Sequence, residues 1–149
     1  VILLCGIVLF GAPFLPTKRA QIATALNLLD LRKGQLLYDL GAGDGRVALA
    51  AAKKGLRVVG YELNILLVIL ARLKTRKYKS LVSIRLQSYW SADFRACDGV
   101  YTFSSSRYMK RLDKKLSGAK KSIKLASFAF EIPNKKCLKH SNGVFLYQY

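Results

Sequence analysis

The stretch Asp39-Leu40-Gly41-Ala42-Gly43-Asp44-Gly45-Arg46 decides how this chain is read. Its first residues close the apolar run Leu36-Leu37-Tyr38-Asp39-Leu40, which reads as a buried strand. Its last residue opens a short helical pattern over residues 46–54, stopped by Gly55. A glycine-rich turn between a buried strand and a helix is where an open α/β sheet binds nucleotide-like ligands. Glycines let the backbone turn sharply and come within contact distance of a ligand, which a Cβ would block. The free N–H groups at the start of the helix favour a carboxylate or phosphate. Glu62 ends the next strand pattern, residues 57–62, and stands 21 residues after Gly41. A carboxylate at that place accepts hydrogen bonds from both ribose hydroxyls and selects a ribose without a 2′-phosphate. The glycine spacing is G-x-G-x-G, led two residues earlier by an acid. The dinucleotide pattern G-x-G-x-x-G would need glycine where Arg46 stands. Were the turn only a tight strand–helix connection, neither the acid before it nor Glu62 after it would be required.

Outward from this turn the chain alternates helical and strand patterns. Thr17 is placed to cap a helix whose residues Ile22, Leu26 and Leu29 share one face. In the helix after the glycine turn, Val47, Ala50 and Ala51 face inward. Asn64 is placed to cap a helix in which residues 65–70 are apolar without a break, a pattern expected of a helix covered on most sides. Val82, Ile84 and Leu86 alternate with Ser83, Arg85 and Gln87, as in a half-exposed edge strand. Residues 99–103 read as a strand, and Met109, Leu112 and Leu116 as the inner face of a basic helix. Residues 122–130 and 144–149 read as closing strands, separated by a basic loop through Pro133, Asn134 and His140. Strands alternating with helices predict an α/β fold, a mainly parallel sheet with helices on both faces. The last two strands lack an intervening helix and are expected to form an antiparallel pair at the C-terminal edge.

The G-x-G-x-G loop with its leading acid resembles motif I of the class I S-adenosylmethionine-dependent methyltransferases. That resemblance implies a Rossmann-like sheet and S-adenosyl-L-methionine as cofactor. Asp39, Gly41, Ala42, Gly43 and Gly45 would then cradle its aminoacyl end, and Glu62, followed by Leu63, would hold the ribose. Pro13-Phe14-Leu15-Pro16-Thr17 after an apolar segment, and Gly60-Tyr61-Glu62-Leu63-Asn64, extend the likeness. Together they resemble the membrane-anchored protein lysine methyltransferases of the ATP synthase c-subunit and the adenine nucleotide translocase, with their prokaryotic relatives. The similarity runs from Gly11 to about Pro133. Gln87-Ser88-Tyr89-Trp90 falls where that group has Gly-Asp-aromatic-Trp, so Ser88 occupies the position of an acid that contacts the adenine amino group. Tyr89 and Trp90 are placed to pack on the adenine ring, with a core role the alternative for Trp90. After the fourth strand, Ser104-Ser105-Ser106 stands where methyltransferases acting on DNA bases or glutamine carry Asn/Asp-Pro-Pro-aromatic. The absence of that motif argues against those acceptors. Ser104, Ser105 and Tyr108, at the carboxyl end of the strand, are the candidates for contact with the acceptor. Serines in a loop also serve simply as turn formers.

The 149 residues, 52% hydrophobic, suit one domain with a real core and exclude a disordered chain. Cys5, Cys97 and Cys137 are widely spaced, without a C-x-x-C pair, and His140 is the sole histidine. A disulfide framework and a zinc site are therefore not expected, and a reducing compartment fits. The formal charge of +18 is uneven, +5 over residues 1–60 and +13 over residues 61–149. Such a field attracts RNA, phosphate or acidic lipid headgroups, although a solvated lysine-rich surface accounts for it equally well. Residues 1–15 carry no charge, and as a helix would span only ~22 Å of a ~30 Å hydrocarbon core. They read as the remnant of a membrane anchor rather than a signal peptide or a packed arm. Lys18 and Arg19 would set the following domain, residues 16–149, on the cytoplasmic side. The expectation is a membrane-associated methyltransferase acting on a lysine of a protein, with membrane proteins among the candidate acceptors. An RNA acceptor is the less favoured alternative, since no RNA-binding module is recognised. A donor-binding or membrane-surface module without turnover is the third reading.

Overall fold

The computed structural model describes residues 16–149. The apolar segment 1–15, and with it the expected anchor and Cys5, lies outside the described residues. Strands β1 (Leu36–Leu40), β2 (Arg57–Glu62), β3 (Val82–Leu86), β4 (Gly99–Thr102), β5 (Lys124–Phe128), β6 (Lys139–Ser141) and β7 (Val144–Gln148) form one sheet in the order β3-β2-β1-β4-β5-β7-β6. The first five run parallel, and β7 is antiparallel to both β5 and β6. Helices α1 (Arg19–Leu29), α2 (Arg46–Lys53), α3 (Ile65–Thr75) and α4 (Ser106–Ser117) complete the fold.

Alternation along the strands divides the core between the two faces of the sheet. Leu37, Val58, Tyr101 and Ala126 face α1, α2 and α3, meeting Leu26, Leu29, Val47, Ala48 and Val68. Their neighbours Tyr38, Val59, Val100 and Leu125 face α4, meeting Met109, Leu112 and Leu116. Parallel strands buried on both sides need apolar residues at successive positions, which is why β1 and β2 read as continuous apolar runs. The α/β expectation is met, with helices on both faces and antiparallel C-terminal strands.

Local details depart from expectation in instructive ways. Lys18, not Thr17, occupies the N-cap of α1. Thr17 is buried, and its hydroxyl lies 3.0 Å from the Tyr101 hydroxyl on β4. Helix α2 ends at Lys53, and its buried face is Val47, Ala48, Ala51 and Ala52, with Ala50 only half-buried. The basic C-terminal loop contains β6, so the sheet edge is β6 and β7 lies one strand in. His140 is exposed on β6 and stacks on Phe145 at 5.6 Å. Strand β3 is the other edge, yet of Val82, Ile84 and Leu86 only Ile84 is buried. The largest departure is α3. Asn64 caps it, its side chain accepting from the Leu66 and Leu67 N–H groups, but only Val68, Ala71 and Thr75 are buried. An unbroken apolar run does not say which neighbours arrive to cover it. Cys97 is fully buried, which pushes its thiol up to about 12, and Cys137 is half-buried.

Candidate active site

Strand order reverses direction between β1 and β4, and a cleft of about 560 Å³ opens there at the carboxyl ends of the strands. The glycine turn forms its floor. The Gly41 and Ala42 N–H groups both donate to the Tyr61 carbonyl at 2.9 Å, tying the turn to the end of β2. Gly41 has φ of +80°, and a Cβ added there would meet nothing within 4 Å. Its position on the cleft wall thus leaves space for a ligand against bare backbone.

Three carboxylates stand at this floor in different surroundings. Asp39, at the end of β1, is buried, and its Oδ2 has no hydrogen-bond partner. Burial, reinforced by the nearby Glu62 and Asp44 charges, pushes its carboxyl up to about 7. Glu62, at the end of β2, is held by backbone N–H groups. Its Oε2 accepts from the Gly43 N–H at 2.9 Å, and its Oε1 from those of Leu63 and Asn64 at 2.8 and 2.9 Å. These bonds fix the carboxylate beside the turn and brace the start of α3. Asp44, next to the turn, bridges Arg46 and Lys74. Burial alone would raise its carboxyl, but the hydrogen bonds from the two cations outweigh it and hold it at about 2. Arg46 also donates to the Thr17 carbonyl at 3.2 Å, so this network fastens Thr17 at the cleft.

The opposite wall is aromatic. Tyr89 and Trp90 lie in a short 3₁₀ turn after β3, with ring centroids 4.6 Å apart, and Trp90 lies 6.0 Å from Tyr108 of α4. Phe103 and Phe130, which stack at 6.4 Å, also line the cleft. The Arg111 guanidinium sits 4.1 Å from the Trp90 ring centroid, and that of Arg107 4.6 Å from the Tyr108 ring. Burial pushes the Tyr89 phenol up, with the Ser104 hydroxyl acting against it.

The structure brings Asp39, Gly41, Ala42, Gly43, Glu62, Leu63, Ser88, Tyr89, Trp90, Ser104, Ser105 and Tyr108 into this one cleft. Gly45 is the exception. It stands behind the floor as the N-cap of α2, with φ of +80°, and a Cβ there would lie 2.8 Å from the Ala71 Cβ. That glycine permits α2 to pack on α3. Trp90 is half-buried at the cleft wall rather than enclosed in the core. The Ser88 hydroxyl accepts from the Trp90 N–H at 3.3 Å and so caps its own turn. Reading the sequence missed Thr17, Gln87, Tyr101, Phe103 and Phe130, which also line the cleft. Gln87 and Thr17 belong to stretches already singled out, Thr17 being tied in through the Tyr101 hydroxyl and Arg46; Tyr101, Phe103 and Phe130 are brought in by strand pairing across the sheet, for which no local signal exists.

The residues fit an S-adenosyl-L-methionine: an unpartnered buried carboxylate oxygen for its ammonium, bare glycine backbone, and a rigid carboxylate at the ribose position. Comparison with known proteins agrees. The model of the ANTKMT methyltransferase domain family matches residues 39–139. The chain belongs to that family. The human lysine N-methyltransferase of the ATP synthase c-subunit is 37% identical over 106 residues, covering 70% of this chain and 45% of the human protein. A protein-lysine N-methyltransferase of Saccharolobus islandicus is 27% identical over 148 residues, covering 91% and 92% of the two chains. Among solved structures, an RNA methyltransferase from Salinibacter ruber in complex with S-adenosyl-L-homocysteine superposes with a TM-score of 0.81. It is 26% identical and covers 91% of this chain and 92% of its own. The sheet is thus that of the Rossmann-like class I methyltransferases. This chain spans about half the length of the vertebrate relatives it matches.

Proposed function

We propose that this chain is the S-adenosyl-L-methionine-dependent catalytic domain of a protein lysine N-methyltransferase that acts at or near a membrane. The observation that carries the reading is one cleft with two unlike halves. Asp39, Gly41, Gly43 and Glu62 form a polar, backbone-rich floor, and Tyr89, Trp90, Phe103, Tyr108 and Phe130 form an aromatic wall. The names of the human and archaeal relatives, both lysine N-methyltransferases, support the acceptor.

When bound, S-adenosyl-L-methionine supplies an electrophilic methyl group on a sulfonium. Ionised Asp39 would take hydrogen bonds from the ammonium at the aminoacyl end, and Glu62 from the ribose hydroxyls. The glycine turn lets the backbone close on the ligand. Methyl transfer needs alignment and the exclusion of water more than proton traffic. The acceptor lysine must arrive as the neutral amine. An aromatic slot disfavours its charged form by desolvation, and the Arg107 and Arg111 guanidinium groups beside Tyr108 and Trp90 do so by repulsion. The amine then loses its proton to solvent before it is enclosed.

Calorimetric titration of S-adenosyl-L-methionine into wild type and Glu62→Ala tests the donor half. Binding that the variant loses is expected; no binding to folded wild type would end the reading. Transfer of labelled methyl to protein or to RNA then tests the acceptor. The RNA alternative rests on the name of the Salinibacter ruber protein and on the +13 charge of residues 61–149. It requires acceptor affinity to fall steeply with salt.

A further inference from the structure

Among the described residues, the large exposed apolar side chains are concentrated at one place. Ile65, Leu66, Ile69, Leu70 and Leu73 of α3 are each about half exposed, from 47% for Leu66 to 58% for Ile65, and Leu63 precedes them at 57%. At 100° per residue these five helix positions cover an arc of about 140°, opposite the buried Val68, Ala71 and Thr75. Helix α3 is therefore apolar on both sides, and its outer side faces solvent. Arg72 and Lys74 flank the apolar arc, one on each side. Arg72 is anchored to the Ile84 carbonyl of β3, which adds exposed Leu86 at the sheet edge. From Leu63 to Ala92 there are six Lys and Arg residues and no Asp or Glu. Asp44, the acid that reaches this face, is bridged by Arg46 and Lys74.

We infer that the outer face of α3 is a docking surface for a lipid bilayer rich in acidic headgroups. The helix has 11 residues, about 16 Å of rise, and no helix among the described residues is long and apolar enough to cross a membrane. It suits lying in the interface, with leucines below the headgroup plane and cations at headgroup level. Acidic lipid is the occupant that the charge favours. A second copy of the chain would set two cationic faces against each other, whereas each basic residue near an acidic surface adds to binding. Leu63 belongs both to this face and to the rim of the cleft, so docking would bring that rim to the lipid surface. The inference concerns lipid binding and does not depend on methyl transfer.

An environment-sensitive fluorophore on Ile69→Cys, in the full chain with Cys5→Ser and Cys137→Ser, reports on this face apart from any contribution of residues 1–15. Its emission should shift to the blue on vesicles of phosphatidylcholine with phosphatidylglycerol, and not on phosphatidylcholine alone. Leu66→Ser/Leu70→Ser/Leu73→Ser, added to the labelled chain once its shift has placed the face in lipid, should weaken partitioning onto the acidic vesicles on the order of a hundredfold. Unchanged S-adenosyl-L-methionine binding in this variant would show that it is folded. A fluorophore that stays unshifted while the protein sediments with vesicles would overturn the inference. So would a shift already present without lipid: concentration-dependent, it marks a second copy; concentration-independent, residues of the same chain.

Discussion

Two glycines of a single motif should fail in opposite ways when changed to alanine. Gly41 and Gly45 both have φ of +80°, so alanine at either position costs about 1–2 kcal/mol of backbone strain. At Gly45 the new Cβ would also lie 2.8 Å from the Ala71 Cβ and 2.9 Å from its Cα. The Cα belongs to the backbone of α3, so no side-chain rotation relieves the contact and the two helices must move apart. Overpacking of that kind adds about 1–3 kcal/mol. Gly45→Ala should therefore lose about 2–5 kcal/mol and Gly41→Ala about 1–2 kcal/mol, at roughly 3–5 °C of Tm per kcal/mol for a domain of this size. Donor binding should invert the order. A Cβ on Gly41 meets no protein atom within 4 Å and would occupy ligand space on the cleft wall. Gly41→Ala should thus weaken S-adenosyl-L-methionine at least about tenfold, while folded Gly45→Ala binds nearly as wild type. Urea unfolding and calorimetric titration on the same preparations measure both. Equal stability of the two variants, or wild-type donor affinity in Gly41→Ala, would refute the assignment of roles.

Asp39 should make the ligand-free protein less stable as pH rises. Its carboxyl titrates near 7 when folded against an ordinary 3.8, so the unfolded chain gives up the proton first. Stability should fall between about pH 4 and about pH 7 and then level off, and urea midpoints for Asp39→Asn should lack that slope. Donor affinity should rise as pH passes through about 7, when the carboxylate forms, and Asp39→Asn should lose both the affinity and its pH dependence. Thr17→Val leaves the buried Tyr101 hydroxyl without its partner and should cost about 1–3 kcal/mol in urea unfolding. Tyr108→Ala should raise KM for the acceptor about tenfold with donor Kd unchanged, because Tyr108 is the expected acceptor contact of the wall, whereas Tyr89 and Trp90 are the residues placed toward the adenine ring.

The donor half of the cleft was legible because its parts are near in sequence or follow from element order. Asp39 and the glycines lie within one turn, and Glu62 ends the next parallel strand, which the register sets beside β1. The aromatic half was only partly legible. Tyr89, Trp90 and Tyr108 adjoin stretches with recognisable features, but Phe103 and Phe130 reach the cleft through the pairing of β4 with β5 and the turn beyond. Gly45 was legible as part of the motif and illegible in its role, since its contact with Ala71 lies across two helices.

By itself the sequence determined the order of strands and helices apart from the short β6, the mainly parallel sheet and the polar floor of the cleft. Periodicity, capping and glycine spacing are local, and a parallel sheet converts strand ends into neighbours by rule. Tertiary structure alone decided which apolar residues are covered. Residues 65–70 carry the composition of a buried helix, yet α3 lies over the β3 edge, where no further element packs outside it among the described residues. Burial belongs to the set of neighbours that arrive, and those neighbours are fixed by the topology of the whole sheet.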